Sequence, residues 1–213
     1  ERLLSTPPVT IMGSPAVGIV AYNHARWLPA CIQSVNASIG ARPLTVVVVD
    51  NASTDNSVSL VRRQFPNVDV LSSPINLGFA GGANLGIRHT TEDIIILLNP
   101  DVIVGESTIS ALDEALAADS SVGIVGCKLL YPGGEIIQHA GGEIAYPLAL
   151  TNHFGYGQDD SEKFNEVREV DYVTGAVCAV RRSVLDQVGF FDEGFFPAYF
   201  EEADLCHRIR TCL

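Results

Sequence analysis

The sequence has little positive charge: 13 Lys and Arg residues stand against 25 Asp and Glu residues, which gives a formal net charge of −12. A nucleic-acid-binding protein needs Lys and Arg side chains to neutralise phosphates, so this composition argues against that class. It also argues weakly against electrostatic docking on an anionic lipid surface. An acidic protein that binds a nucleotide needs a metal ion or helix N-termini to face the phosphates.

Long apolar runs, a signal peptide and paired cysteine motifs are also missing. No run of about 18 apolar residues occurs, so no membrane span is expected. Residues 1–14 lack the charged-then-apolar order of a signal peptide and are predicted to form a loose arm. The five cysteines are odd in number and form no CxxC motif. We therefore expect buried free thiols in a reducing compartment and a cytoplasmic protein, with peripheral association at the inner face of the membrane left open.

The first half of the chain alternates apolar runs with helical patterns. Strands are predicted at residues 17–21, 44–49, 68–71 and 94–98. Helices are predicted at 27–37, from a cap at Ser53 or Thr54 to about 64, at 80–89 and at 106–118. This alternation predicts an α/β fold with a mostly parallel central sheet and helices on both faces. In such sheets ligands bind beyond the carboxyl ends of the strands.

The second half is less regular. Strands are predicted at residues 122–127 and 172–180, with hairpins and a mobile loop between about 129 and 169, where glycines interrupt the pattern. A short helix at 183–188, an aromatic turn at 190–196 and a last helix at 200–210 complete the prediction.

Polar clusters follow three of the predicted strands, at Tyr22-Asn23, Asp50-Asn51 and Asn99-Pro100-Asp101. The Asp50-Asn51 cluster is equally consistent with hydrogen bonding to the edge of a nucleotide base and with an ordinary turn that caps the next helix. The Gly-rich segment 76–84 could present backbone N–H groups to phosphate or sugar oxygens, although Gly-rich turns are common. Asp101, after Asn99 and Pro100, is a candidate ligand for Mg²⁺ or Mn²⁺, with a plain turn as the alternative.

The last predicted helix begins with an acidic cluster. At helical spacing, Glu202 shares a face with the apolar residues Leu205, Cys206 and Ile209, so it is expected to point inward. Glu201 and Asp204 fit better as acids favoured by the helix dipole, and Asp204 can pair with Arg208. Three histidines, His24, His139 and His153, stand alone or beside glycine in the sequence, and each is expected to be a satisfied or exposed side chain rather than a ligand.

Taken together, these segments resemble the family 2 glycosyltransferases, an inverting group with the GT-A fold, and most closely its rhamnosyltransferase-like members. The matching segments are VGIVAYN (17–23), VVDNASTD (48–55), NLGFAGGAN (76–84), LLNPDV (97–102), TGA (174–176), GFFDE (189–193) and FEEADL (200–205). Any one segment is unspecific, but their order over residues 16 to 210 is a strong signal.

The resemblance implies a role for each segment. One domain, 15–213, would comprise a nucleotide-sugar-binding half (15–120) and an acceptor-side half (121–213) that is expected to be truncated at its C-terminus. Glu202 would be the general base, and Asp101 with Asn99 would bind Mg²⁺ or Mn²⁺. Donor-binding positions would be Tyr22, Asn23, Asp50, Asn51, Gly78, Gly81, Gly82, Asn84 and Asn99.

The implied substrates are a UDP- or dTDP-sugar donor and a glycan or lipid-linked glycan acceptor, with no nucleic acid involved. Two alternatives stay open. A nucleotidyltransferase of similar build would want a Lys/Arg-rich loop after the first strand, whereas this loop carries only His24 and Arg26. A non-catalytic nucleotide-sugar-binding module gains weight from Asn99, which replaces the first acid of the family's DxD motif.

Overall fold

The structure is a computed structural model that describes residues 13–38 and 44–212. The predicted arm at residues 1–14 therefore lies, except for its last two residues, outside the described part. The first half contains β1 (Ala16–Ala21), α1 (Leu28–Ala37), β2 (Thr45–Asp50), α2 (Ser57–Gln64), β3 (Asp69–Ser72), α3 (Gly78–His89), β4 (Ile94–Leu98) and α4 (Thr108–Ala118). The second half contains β5 (Ile124–Gly126), β6 (Leu129–Leu130), β7 (Ile137–His139), β8 (Gly142–Ala145), β9 (Leu150–His153), β10 (Val177–Arg181), α5 (Arg182–Val188) and α6 (Glu201–Cys212).

Six of these strands form one central sheet in the order β3-β2-β1-β4-β10-β5. The pairs β3–β2, β2–β1 and β1–β4 are parallel. β10 runs antiparallel to both of its neighbours. The prediction of a mostly parallel α/β sheet is therefore confirmed, with one reversed strand on the side of the second half.

The apolar run of β4 divides its side chains between two cores. Ile94, Ile96 and Leu98 join the core that also contains residues of α1 and α4. Ile95 and Leu97 join the second core, with residues of α3, α5 and α6. Successive side chains of a strand point to opposite faces, so a strand covered on both faces has to be apolar throughout. The helices thus lie on both faces of the sheet, as predicted.

Two small antiparallel hairpins, β6–β7 and β8–β9, occupy the segment where hairpins were predicted. The predicted strand at 172–180 is wrong at its start, because β10 begins at Val177 and residues 172–176 are not part of it. Tyr172 instead makes an isolated bridge to Gly142 of β8. This crossing segment carries the chain from the hairpins back to the central sheet.

The predicted cap of α2 is also wrong. The helix starts at Ser57, and Asn56 at its N-cap makes no side-chain capping bond. Ser53 and Thr54 bond instead to Asn23 of the loop after β1: the N–H of Asn23 donates to Ser53 Oγ over 2.9 Å, and the N–H of Thr54 donates to Asn23 Oδ1 over 2.8 Å. The two loops are therefore joined at the edge of the sheet where the polar clusters lie.

The five cysteines form no disulfide; Cys31, Cys178 and Cys206 are buried, Cys127 is half-buried and Cys212 is exposed. Within residues 13–38 and 44–212, no helix combines the length and apolarity that crossing a bilayer requires.

Candidate functional site

A cleft of about 240 Å³ opens at the carboxyl edge of the parallel strands. It brings together residues from the ends of β1, β2 and β4, from the start of α3 and from the loop before α6. Its lining is Val20, Tyr22, His24, Asn51, Asn76, Gly78, Phe79, Asn99, Pro100, Asp101, Pro197 and Ala198. Five predicted site residues are in this set: Tyr22, Asn51, Gly78, Asn99 and Asp101. Residues distant in sequence meet here because parallel strands end at the same edge.

Asn99 and Asp101 form the turn that follows β4. The N–H of Asn99 donates to the carbonyl of Ala176 over 2.9 Å, and the N–H of Val102 donates back to the carbonyl of Asn99 over 3.2 Å. Asp101 is exposed to the cleft. Burial and, secondarily, the charge of Asp101 raise the pKa of the Cys31 thiol to about 12, so this thiol stays protonated and donates to the carbonyl of Asn99.

The side chains at this turn fit a divalent cation whose remaining ligands come from the substrate. Among the described residues, no group of three or more His, Cys, Asp or Glu side chains is arranged to hold a metal ion. Mg²⁺ and Mn²⁺ do not need such a cage, because they are commonly bound through one or two carboxylates plus substrate phosphates. The exposed carboxylate of Asp101 and the amide oxygen of Asn99 match that requirement.

The side-chain amide of Asn51 is fully engaged with the start of the Gly-rich segment. Its Nδ2 donates to Asn76 Oδ1 and to the carbonyl of Gly78, each over 2.9 Å, and its Oδ1 accepts from the N–H of Leu77 over 2.8 Å. Asn51 is 2% exposed. Since both of its donors are used, Asn51 shapes the floor of the cleft, and any contact of its side chain with a ligand is limited to the free lone pair of Oδ1.

The neighbouring positions Asp50, Tyr22 and Asn23 differ in how they face the cleft. Asp50 is buried at the end of β2 and accepts from the N–H of Ser53 over 3.1 Å, so it forms the turn that was the alternative interpretation. Tyr22 is 45% exposed and lines the cleft. Asn23 is not in the lining, and its Oδ1 instead binds the loop at Thr54 and Asp55.

The Gly-rich segment is mostly the first turns of α3. Gly78 has φ +73°, and a Cβ atom there would lie 2.7 Å from the carbonyl oxygen of Pro197. Only glycine combines this backbone conformation with such a close approach. The N–H of Phe79 donates to the same carbonyl over 2.9 Å, which fixes the loop before α6 against the start of α3. Pro197 and Gly78 together close one wall of the cleft.

Gly81, Gly82 and Asn84 are not in the cleft lining, and their role in donor binding stays a prediction. A Cβ atom on Gly82 would lie 2.6 Å from Val20 Cγ1, so this glycine permits close packing of α3 on β1. Asn84 is 1% exposed; its Nδ2 donates to the carbonyl of Phe191 and to Glu193 Oε1, and its Oδ1 accepts from the N–H of Phe191. These contacts give the three residues a packing role.

Glu201 and Glu202 begin α6 behind the crossing segment, and neither belongs to the cleft lining. Leu205, Cys206 and Ile209 are buried, and Asp204 pairs with Arg208 over 2.8 Å, both as predicted. Glu201, however, is 4% exposed, so the expectation that only Glu202 points inward is wrong. Helical phase assumes one buried face, whereas the first turn of α6 is covered on two sides.

Burial raises the pKa of both acids. The pKa of Glu201 rises from 4.5 to about 7, through desolvation and the neighbouring charge of Glu202. Desolvation also raises the pKa of Glu202, against the hydrogen bonding of its own backbone and that of Gly175 and the charge of His153. Each side chain has a buried Oε2 without a hydrogen-bond partner among the described residues. In such surroundings the protonated form of a carboxyl group is favoured over the charged form.

His139 and His153 lie against each other, which the sequence does not predict. Their Nδ1 atoms lie 2.7 Å apart, and their ring centroids are 4.9 Å apart. His139 is buried on β7, whereas His153 is exposed at the end of β9. The two residues are 14 positions apart, and only the pairing of the hairpins brings them together, so no local pattern indicates the contact.

A model of glycosyl transferase family 2 matches residues 16–189, most of the chain. The protein belongs to glycosyl transferase family 2. The chain is 32% identical to the N-acetylglucosaminyl-diphospho-decaprenol L-rhamnosyltransferase of Mycobacterium tuberculosis, over 89% of this chain and 68% of that protein. This similarity agrees with the resemblance to rhamnosyltransferase-like members of the family.

Two solved structures share the GT-A fold of this chain. The mannosyltransferase PcManGT from Pyrobaculum calidifontis, in complex with GDP-Man and Mn²⁺, superposes with a TM-score of 0.67 at 21% identity, over 98% of this chain and 55% of that one. TarS of S. aureus in complex with UDP superposes with a TM-score of 0.65 at 16% identity, over 91% and 54%. The chain thus spans about half the length of these two structures and about two thirds of the rhamnosyltransferase.

Proposed function

We propose that the protein transfers a sugar from a nucleotide-diphosphate sugar to an acceptor hydroxyl, with inversion at the anomeric carbon. The observation that carries this proposal is the cleft itself, because it gathers an exposed carboxylate, an amide and a helix start at one sheet edge. Family membership supports sugar transfer as the reaction. The 32% identical relative, named for a decaprenol-linked substrate, supports a lipid-linked glycan acceptor and a role in cell-surface polysaccharide synthesis.

On this proposal the donor lies in the cleft with its diphosphate toward Asp101 and the start of α3. A bound Mg²⁺ or Mn²⁺ would neutralise charge that develops on the leaving diphosphate. Asp101 and Asn99 would hold the cation. The positive end of the α3 dipole would face the phosphates, although the N–H groups of Leu77, Gly78 and Phe79 are themselves bonded within the protein. The Mn²⁺ in the complex of the mannosyltransferase supports the use of a divalent cation.

The base of the nucleotide would lie near Tyr22 and the end of β2. Asn51 holds the walls of this pocket through its three bonds to residues 76–78. The family resemblance assigns selection of uridine or thymidine to Asp50 and Asn51, although the side chain of Asp50 is buried outside the cleft lining, in the turn with Ser53. A UDP- or dTDP-sugar is therefore the proposed donor.

Glu202 would act as the general base that takes the proton from the acceptor hydroxyl. Its neighbour Gly175 directly precedes Ala176, whose carbonyl binds Asn99, so the base and the turn at Asp101 are connected through the start of β10. A positioned base of this kind contributes roughly 10²–10⁴-fold to a rate. Once Glu202 has taken the proton it is uncharged, and its desolvated surroundings favour that form over the charged one.

A binding screen followed by a transfer assay tests the proposal. Thermal shifts with UDP-, dTDP- and GDP-sugars, with and without Mn²⁺, should show the largest stabilisation for a uridine or thymidine donor with metal. The preferred donor is then offered with a polyprenyl-diphosphate-linked sugar, and the anomeric configuration of the product is determined by NMR. Donor binding without transfer would favour the non-catalytic module. Release of a sugar 1-phosphate with a nucleotidylated acceptor would favour the nucleotidyltransferase.

A further inference from the structure

His24 lines the candidate cleft, although its sequence surroundings do not indicate a ligand contact. It is half-buried in the loop between β1 and α1. Its backbone carbonyl accepts from the N–H groups of Trp27 and Leu28 over 2.9 and 3.0 Å, which ties the residue to the start of α1. The side chain therefore has a defined position at the edge of the sheet where the cleft opens.

The residues on either side of His24 are held by the loop after β2. Asn23 has a φ of +59°, a conformation that is uncommon for a residue other than glycine. Its side-chain Oδ1 accepts from the N–H of Thr54 over 2.8 Å. On the other side, the N–H of Ala25 donates to Asp55 Oδ2 over 3.1 Å. These bonds fix the backbone that carries the imidazole ring.

The imidazole ring of His24 is also fixed by a hydrogen bond of its own. The N–H of Tyr22 donates to Nδ1 over 3.1 Å, so Nδ1 is the acceptor and the ring proton lies on Nε2. Within the described part of the chain, Nε2 has no hydrogen-bond partner. The ring thus offers one unused N–H donor, and it needs no net charge to do so.

His24 and Asp101 reach the cleft from adjacent strands. β1 and β4 are parallel, and Ile19 is paired with Leu98 near their carboxyl ends. His24 follows β1, Asp101 follows β4, and both residues line the cleft. Because neighbouring strands lie only about 4.7–4.9 Å apart, the two groups flank a space in which one diphosphate can contact both.

A diphosphate in this cleft meets few other unused N–H donors. At the start of α3 the N–H groups of Leu77, Gly78 and Phe79 are all bonded within the protein. Both N–H groups of the Asn51 amide are used as well. Among the described residues that line the cleft, His24 alone has a side chain that can carry positive charge. It is therefore the best-suited side chain of the lining for an anionic oxygen.

We propose that the Nε2–H of His24 donates a hydrogen bond to a phosphate oxygen of the nucleotide-diphosphate donor. This inference rests on the proposed function, because that function places the donor in this cleft. The proton stays on Nε2 throughout. The bond holds the diphosphate from the side of β1, and it strengthens as negative charge develops on the diphosphate that leaves the sugar.

Two substitutions of His24 separate the two ring nitrogens. His24→Asn places an amide near the position of Nδ1, where its oxygen can still accept from the N–H of Tyr22, but it leaves no donor near Nε2. His24→Gln places an amide nitrogen near the position of Nε2 and restores a donor. By calorimetry with Mn²⁺ in excess, His24→Asn should bind UDP about tenfold more weakly than the parent. His24→Gln should recover most of that loss.

A comparison of UDP with uridine locates the contact. Uridine has the same base and ribose but no phosphate, so its affinity, measured by NMR titration, should be the same in the parent and in His24→Asn. A disturbed loop would weaken the binding of both ligands, and this comparison therefore distinguishes a direct contact from a structural effect. An equal loss with uridine would overturn the assignment to a phosphate oxygen.

Arg26→Gln is the matched control for general electrostatic attraction. Arg26 is exposed in the same loop, stacks over Trp27 at 4.7 Å from the ring centroid and is not in the cleft lining. Its substitution should leave the affinity for UDP unchanged, because an exposed charge outside the site is screened by salt. An equal loss of affinity in Arg26→Gln and His24→Asn would contradict the inference.

The outcomes for the contact and for the proposed function can be told apart. Parental affinity for UDP in His24→Asn would overturn the contact alone. A parent that binds UDP through His24 but transfers no sugar would overturn the proposed function and leave the contact in place. A parent with no measurable affinity for UDP or dTDP would overturn both.

Discussion

The backbone N–H of Asn99 donates a hydrogen bond to the carbonyl of Ala176 over 2.9 Å. Asn99 lies two residues before Asp101, the proposed metal ligand. Ala176 follows Gly175, whose backbone hydrogen bond stabilises the charged form of Glu202. One bond between β4 and the start of β10 therefore joins the donor side of the site to its acceptor side. Changes on either side can be tested separately against this common framework.

Asp101→Ala should abolish the effect of Mn²⁺ on the affinity for a nucleoside diphosphate. Asp101 is the carboxylate in the cleft lining, and the remaining amide of Asn99 is a weak ligand without it. Calorimetry with and without Mn²⁺ measures the change. Asp186→Ala, an exposed acid on α5, is the matched control and should retain the parental metal dependence. Unchanged metal dependence in Asp101→Ala would remove this residue from the site.

The end of β2 should give a preference for UDP or dTDP over GDP. A pocket whose buried polar groups hydrogen-bond to one base binds another base less tightly when one of those groups is left unpaired. The loss of binding free energy is about 1–3 kcal/mol per unpaired group. Calorimetry of the three diphosphates measures the preference directly. Equal affinity for GDP would show that Asp50 and Asn51 do not select the base.

Asn84→Ala should destabilise the fold while leaving the affinity of the folded protein for the donor unchanged. The substitution leaves the N–H and the carbonyl of Phe191 without their partner in a buried position, which costs about 1–3 kcal/mol for each group. Urea denaturation measures the loss, with Asn36→Ala on the exposed face of α1 as the control. A large loss of donor affinity with normal stability would restore Asn84 to the donor site.

The sequence predicts those parts of the fold that depend on local pattern. The continuous apolar run 94–98 identifies β4 because a strand buried on both faces must be apolar at every position. The polar residues that follow the strands also lie together as predicted, because the carboxyl ends of parallel strands meet at the same edge of any such sheet. Here the positions of Tyr22, Asn99 and Asp101 follow from the pattern.

Contacts between distant segments account for what the sequence did not predict. Val173 looks like strand, yet residues 172–176 cross from the hairpins to the sheet and only the last part of the apolar run pairs with β4. In the sequence Gly82 resembles part of a phosphate-binding loop. In the structure it allows α3 to pack closely on β1, because a Cβ atom at this position would lie 2.6 Å from Val20 Cγ1. The contact of His139 with His153 depends on two hairpins, and the burial of Glu201 depends on what covers the first turn of α6.

The pH dependence of stability should report on Glu201. Its pKa is raised from 4.5 to about 7 in the folded protein, mainly by desolvation. A raised pKa stabilises the fold fully below the unfolded value and loses that contribution as pH rises through about 7. The Tm of the parent should therefore fall more steeply from pH 5 to 8 than that of Glu201→Gln. Glu166→Gln, at an exposed acid, should keep the parental slope.

Glu202→Gln should reduce turnover by roughly two orders of magnitude or more and leave donor affinity nearly unchanged. Glutamine keeps the shape of the side chain but cannot accept the proton of the acceptor hydroxyl. Glu201→Gln is the matched comparison, because Glu201 is adjacent to Glu202, is itself buried and also has a raised pKa. It should cost less in turnover, since its proposed contribution is limited to the surroundings of Glu202 and to acceptor binding.

The pH profile separates the two acids further. If Glu202 is the base, kcat/KM of the parent rises with pH as Glu202 loses its proton, at a pH above the ordinary range of a glutamate because its pKa is raised by desolvation. In Glu201→Gln that rise should persist, because the carboxyl group of Glu202 that loses its proton is still present. In Glu202→Gln the residual rate should lose this rise. Parental turnover in Glu202→Gln, or loss of the pH-dependent rise in Glu201→Gln alone, would transfer the role of base to Glu201.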